Sequence, residues 1–309
     1  MKCKAIRSII KYCQLPIERT RVIMMIDKIF EEKRPVLSFE IFPPKRAEAL
    51  KSIDETLEIL SSLNPDYISV TFGAGGSSVN NKTVELAKKI KNEYKIEPLV
   101  HLTCLHYTKD EIRRILDELS ESGIYNVLAL RGDINPDFEN KNDFKYASDL
   151  TAFVKSCGSF GVAGACYPET HIEAEDSVSD IKNLKKKVDA GAGHLISQLF
   201  FDNDVFYNFV EKLRIAGIDV PVSAGIMPVI NKAQIERMVS LCGATLPEKF
   251  RRITNKYEDN KEALFDAGMV YAINQVVELL SNDVEGIHLY TMNNPHVAKK
   301  LCDGIRNLL

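Results

Sequence analysis

A chain of 309 residues that is 45% hydrophobic and 27% charged, with a net charge of −3, has the composition of a globular protein with ample apolar surface for a core. The slight acidity excludes a broad nucleic-acid surface, which needs a basic excess. No stretch reads as the ~20 apolar residues that cross a bilayer, so no membrane partner is expected. Seven cysteines without a C-x-x-C fit neither a disulfide framework nor a cysteine zinc site. A reducing, cytoplasmic setting is therefore expected.

Residues 1–25 read as a basic N-terminal extension, with six Lys/Arg against Glu18 alone in the first 24. They lack the long apolar segment of a secretory signal. Two readings stay open, a transit-type arm and a poorly ordered stretch ahead of a start at Met24 or Met25. Residues 26–309 alternate short apolar runs with amphipathic stretches. The strand candidates are 36–42, 67–73, 99–104, 126–133, 162–168, 195–201, 221–228 and 286–291. Helical patterns lie between them, for example at 52–63, 110–122 and 179–192. Eight β-then-α units in one chain predict a single-domain (β/α)8 TIM barrel, α/β in class. The longer gap between strands seven and eight predicts extra helices there, from "ATLPEKFRRI" and "DNKEALFDAGMVYAINQVVELL". A doubly wound sheet is the competing architecture. It would carry G-x-G-x-x-G after its first strand, which is absent. "GAGGSS" at 73–78 follows strand two, lacks the third glycine, and reads better as a tight backbone-exposing loop.

Side chains alternate faces along a strand. In "VLSFEIF" Leu37, Phe39 and Ile41 share one face, and Ser38, Glu40 and Phe42 the other. Strand four sets Leu128 and Leu130 against Ala129, Arg131 and Asp133. Across the chain one face is aliphatic. The other turns polar near the C-terminal ends, at Glu40, Thr71, His101, Arg131, Asp133, Tyr167, Gln198 and Tyr290. Any one of these alone would be read as structural. Together they converge where barrels of this architecture place their active sites. The set argues for a ligand site and says little about its chemistry. No metal-binding motif, P-loop or G-x-S-x-G is present, so no metal is expected. "RGD" at 131–133 lies inside a predicted strand, which argues against an adhesion role.

The motifs "SFEIFPPK", "ISVTFGAGG", "HLTC", "LALRGD", "YASDL", "YPETH", "DIKNLKKKVDAGA", "SQLFFD", "GIMPV" and "LYTMN" occur in this order. Over residues 26 to 305 the chain thereby resembles the methylenetetrahydrofolate reductases of the short bacterial type. That resemblance implies a barrel holding FAD non-covalently. It implies ping-pong reduction of 5,10-methylenetetrahydrofolate to 5-methyltetrahydrofolate with NADH or NADPH as donor, feeding one-carbon metabolism and methionine synthesis. It also implies small-molecule partners, folate and nicotinamide, and a homo-oligomer. With no regulatory extension in the sequence, NADH is the expected donor.

Carried over by motif, Glu40 resembles the general acid, and its apolar surroundings, including Phe39 and Phe42, are expected to raise its pKa. Asp133 resembles the carboxylate near the flavin and the folate. Thr71, His101, Arg131, Gly132, Asp133, Tyr146, Ala147, Tyr167 and His171 resemble cofactor contacts. In the helix 179–192, Val178, Ile181, Leu184 and Val188 read as a core stripe, beside Asp180, Asn183 and Lys187 at helical spacing. In isolation that polar stripe is a solvated rim; the resemblance makes Asp180, Asn183, Lys186 and Lys187 cofactor ligands. Gln198, Gln234 and Tyr290 join Glu40 and Asp133 as substrate contacts. Two positions depart from the family pattern. Met238 stands where some members carry an aromatic, and Asn294 replaces an arginine suited to the folate tail. Two rival readings are a phosphate-binding lyase or aldolase barrel, lacking a strand-end Schiff-base lysine, and a non-catalytic flavin-binding subunit.

Overall fold

A computed structural model describes residues 24–44, 50–72, 77–134 and 139–309, with backbone alone at 50–51 and 77–81. Most of the N-terminal extension and the 73–76 part of the glycine-rich loop lie outside the described residues. Eight parallel strands close in sequence order: β1 (Val36–Ile41), β2 (Tyr67–Val70), β3 (Glu97–Thr103), β4 (Asn126–Leu130), β5 (Gly161–Cys166), β6 (His194–Ser197), β7 (Val222–Ile226) and β8 (Gly286–Tyr290). The barrel is sealed by β8 pairing with β1, Ser38 opposite His288 and Glu40 opposite Tyr290. Each strand ends earlier than the sequence suggests. The polar residues expected at the last strand positions mostly stand on the loops that follow.

Helices cover the outside: α2 (Leu50–Ser62), α3 (Ser77–Lys89), α4 (Lys109–Glu121), α5 (Ala147–Cys157), α6 (Ser177–Asp189), α7 (Asn203–Ile215) and α11 (Pro295–Ile305). The expected insertion between β7 and β8 forms α8 (Lys232–Cys242), α9 (Glu248–Lys256) and α10 (Lys261–Ser281). Outward strand residues such as Leu37, Phe39, Val100, Val127, Ala129, Val222 and Leu289 pack with Leu57, Leu116, Val154, Leu213 and Leu301 of the helices. Burying each large apolar side chain contributes roughly 1.5–3 kcal/mol. Helix starts follow local chemistry. Thr108 caps α4 in a capping box with Glu111, and Asp176 accepts the Ser179 N–H at the start of α6.

One helix went unread in the sequence. α1 (Ile26–Glu32) plugs the N-terminal end of the barrel, where Ile26 and Phe30 pack on Val36, Tyr67, Leu99, Leu128, Ala163 and Ile196. Asn126 holds the plug, accepting from Ile26 N at 2.9 Å and donating to Met24 O at 2.9 Å. Two further readings are corrected. The α10 helix is long and apolar enough to span a membrane by length and composition, contrary to expectation. Its Leu264, Met269, Ala272, Val276 and Leu279 are buried against the rest of the fold. Strand β4 was split the wrong way. Leu128 and Leu130 face the interior while Ala129 packs outward. Arg131 follows Ala129's parity, so it leaves the barrel on the helix side. Polarity marks the inner face on other strands, but in β4 the polar run belongs to the loop after Leu130.

Candidate functional site

Two cavities meet at the C-terminal end of the barrel. The first, about 260 Å³, is the mouth itself. Glu40 and His101 stand on its floor, Leu128, Leu130 and Ile196 line the side, and Gln198, Tyr167 and Tyr290 rise from other strand ends. Met227, Met238 and Met292 complete the wall. The Glu40 side chain is 20% exposed, with Oε2 lying 3.4 Å from His101 Nε2 and 3.6 Å from His288 Nε2. Thr291 Oγ1 donates to the Glu40 carbonyl at 2.7 Å, and the Asn293 side chain bonds both N and O of Phe42. The acid-bearing strand end is thus clamped by the turn after β8.

The expectation for Glu40's proton affinity is corrected. Burial pushes the carboxyl up, but the imidazoles of His288 and His101, 3.6 and 3.4 Å away, more than offset it, and its pKa falls below the ordinary value. Phe39 packs outward and does not wall it. Sequence reasoning counted only apolar neighbours, and the two imidazoles arrive from strands distant in the chain. Burial also pushes His101 down to about 4, which keeps it neutral near pH 7. Tyr290 donates to Ser197 O at 2.7 Å, and its phenol is held well above the usual range by burial. The ring fits because residue 225 is glycine; a Cβ there would stand 2.8 Å from Tyr290 Cε2 and 2.1 Å from Ser197 O.

The second cavity, about 210 Å³, is a groove between β5, α5 and α6. It is lined by Arg131, Tyr146, Ala147, Tyr167, His171, Asp180, Asn183, Lys186 and Lys187, nine of the expected cofactor residues. Ala165 and Tyr167 line both cavities and so form their common wall. Lys187 reaches across Gly164 to donate to Ala165 O at 2.6 Å, and burial lowers its pKa. Arg131 makes a two-pronged pair with Glu173 at 2.5 and 2.8 Å. Asp180 accepts from His171 N at 2.9 Å, and the His171 ring packs edge-on against Tyr167. Three cations beside an Asp–Asn pair suit an anionic nucleotide with ribose hydroxyls, so the residues present fit FAD. Within α6 Leu184 is buried as expected, but Val178 is 56% exposed and outside the core stripe.

Some expected residues line neither cavity: Thr71, Gly132, Asp133 and Gln234. Asp133 is exposed, and its charge bears on Arg131 and Tyr167, which line the groove. Met238 lies in the mouth wall. Asn294 instead caps α11, accepting from Val297 N. Sequence reasoning did not single out His288, which lies 3.6 Å from Glu40, although it stands two positions before Tyr290 on the same strand face. A further cavity, about 910 Å³ among α7, α9 and α10, is lined by none of the expected residues.

The methylenetetrahydrofolate reductase family model matches residues 25–306. The chain is 36% identical over 266 residues to the 5,10-methylenetetrahydrofolate reductase of Escherichia coli, covering 86% of this chain and 89% of that one. It is 36% identical over 289 residues to methylenetetrahydrofolate reductase (NADH) 1 of Arabidopsis thaliana, covering 88% of this chain and 48% of that one. It thus spans about half of the plant relative. Among solved structures, an uncharacterised Clostridium thermocellum protein that binds two copies of 5-methyl-5,6,7,8-tetrahydrofolic acid superposes with a TM-score of 0.68 at 15% identity, covering 92% and 99%. A Mycobacterium tuberculosis tryptophan synthase chain gives 0.52 at 12% identity, covering 90% and 97%. Both likenesses are of fold alone.

Proposed function

The chain belongs to the methylenetetrahydrofolate reductase family of oxidoreductases, and from that premise we propose that it reduces 5,10-methylenetetrahydrofolate to 5-methyltetrahydrofolate by a ping-pong route, with NADH as donor and bound FAD as carrier. The observation that supports this most is the shared wall: a carboxylate-floored mouth joins a cation-lined groove across Ala165 and Tyr167. Bound FAD would supply the site that accepts hydride from one substrate and gives it to the other. The remaining work falls to side chains of this chain.

Lys186, Lys187 and Arg131 would hold the anionic part of the cofactor in the groove, and Asp180 and Asn183 would take its ribose hydroxyls. Tyr167 stands at the corner where the groove meets the mouth. There Glu40 is the general acid, placing a proton on the folate nitrogen so that the five-membered ring opens. Gln198 offers both a donor and an acceptor to the pterin. Leu128, Leu130 and Ile196 keep water away from the reacting face. Asp133 lends negative charge that favours the cationic form of the opened folate.

Colour tests the reading. Purified protein should be yellow, bleach with NADH without oxygen, and recover on adding methylenetetrahydrofolate. Colourless protein that takes up no FAD on reconstitution would refute it.

A further inference from the structure

One helix of the mouth wall is held mainly by contacts near its ends. The α8 helix brings Met238 to the mouth, yet of its eleven residues only Ile235 is buried. Just past its C-terminal end Ala244 is buried with Leu199, Met227 and Phe250, while Gly243 and Thr245 on either side are exposed. Both of these exposed residues meet the loop between β5 and α6, residues 167–176. Glu169 accepts from Thr245 N with both carboxylate oxygens, at 2.8 and 2.9 Å. Ile172 lies over Gly243 so closely that a Cβ there would stand 2.7 Å from its Cγ2. Gly243 closes α8 at φ +69, where glycine is favoured.

The same loop lines the cofactor groove through Tyr167, His171 and Glu173. Its groove side is pinned by the Arg131–Glu173 pair and by Asp180, which accepts from His171 N. Its mouth side is pinned by Glu169. Between the two stands Thr170 at φ +74, a left-handed conformation that a β-branched residue rarely adopts. Strain of this kind persists where surrounding contacts over-determine it, and it gathers at functional sites. Here it lets one short loop bond Thr245 on one flank and α6 on the other.

We propose that Glu169 is a positioning residue for the folate: it straps the C-terminal end of α8 to the β5–α6 loop and so fixes Met238 as a wall of the mouth. This rests on the reductase reading, which makes the mouth the folate site. A carboxylate is a stronger acceptor for an amide than a neutral group. Thr245 is exposed, so its N–H turns to water when Glu169 is removed, and no buried donor is left unpaired. Loss of the strap therefore loosens α8 and leaves the barrel intact. The groove keeps its own ties at Arg131 and Asp180.

The test separates the wall from the cofactor. In Glu169→Ala the KM for methylenetetrahydrofolate should rise about fivefold with kcat unchanged, the mark of binding lost equally in ground and transition states. The FAD dissociation constant should change by less than about twofold, as for a surface substitution. Glu169→Gln keeps an acceptor for Thr245 N and should recover most of the loss. Because Glu169 acts through the helix that carries Met238, removing it in Met238→Ala should add less than about twofold. Independently of turnover, amide exchange over residues 238–245 should be faster in Glu169→Ala than in the parent holoenzyme, with the barrel strands unchanged. An unchanged folate KM or unchanged exchange in Glu169→Ala, a loss carried by kcat, an equal loss of FAD affinity, or full additivity with Met238→Ala overturns the strap. A parent protein that binds no FAD or is not reoxidised by the folate overturns the reductase reading instead.

Discussion

The mouth and the groove share one wall but are built on opposite principles. The mouth is made of strand ends whose side chains converge from around the barrel, and its ionisable groups are controlled by burial and by one another. The groove is made largely of one helix, α6, and the loops beside it, and its charges stay nearer solvent, apart from Lys187, whose pKa burial lowers. A charge in the mouth therefore depends on neighbours from several strands, while the groove's cations answer mainly to burial and to single partners, Lys187 to the former and Arg131 to Glu173.

The sharpest way to break this contrast is at its centre. Glu40→Gln should leave FAD binding and NADH reduction intact and lower folate turnover by about 10³-fold, within the range of general acid catalysis. Normal turnover would show that the mouth's carboxylate is not the acid. Next comes pH. Burial pushes His194 from 6.5 down to about 3. The unfolded chain takes up that proton as pH falls through 6.5, whereas the folded chain does so only near 3. Stability is therefore full above about 6.5 and lost toward pH 3, by on the order of 3–5 kcal/mol from this group. Acid unfolding of His194→Gln should show a correspondingly shallower loss. An identical acid profile would mean the barrel interior is hydrated.

In the groove the expected effect is on affinity. Lys187→Ala should raise the FAD dissociation constant roughly 10- to 100-fold, the worth of a charge-assisted contact, measured by flavin fluorescence. The loss should shrink at high salt if the groove acts through exposed charge. The smallest effect is expected at the rim of the mouth. Met238→Ala should raise the folate KM a few-fold with NADH reduction unchanged, since it removes apolar wall and no polar contact.

The sequence was legible where one residue's environment follows from its strand or helix. Alternation, with polarity marking the inner side, placed Glu40, His101, Gln198 and Tyr290 on the inner face, and the mouth contains all four. The same rule failed in β4, where "ALRGD" runs from strand to loop and polarity no longer marks the inside. The short amphipathic run "IDKIFEE" shows only one apolar stripe, and nothing local says that a barrel end waits for it. The groove residues of α6 were legible through the family motifs and not through helical spacing, which fits a solvated rim equally well.

Eight alternating units with polar strand ends were enough to determine a barrel with a polar mouth, because the period of a strand and the connectivity of parallel pairing are local and topological properties. Tertiary structure alone decided the state of the acid in that mouth. His101 and His288 come to Glu40 from residues 61 and 248 positions away, and Ser38 reaches His288 across the seam where β1 meets β8. Electrostatics in a buried site is set by distance in space, and that distance exists only once the barrel has closed.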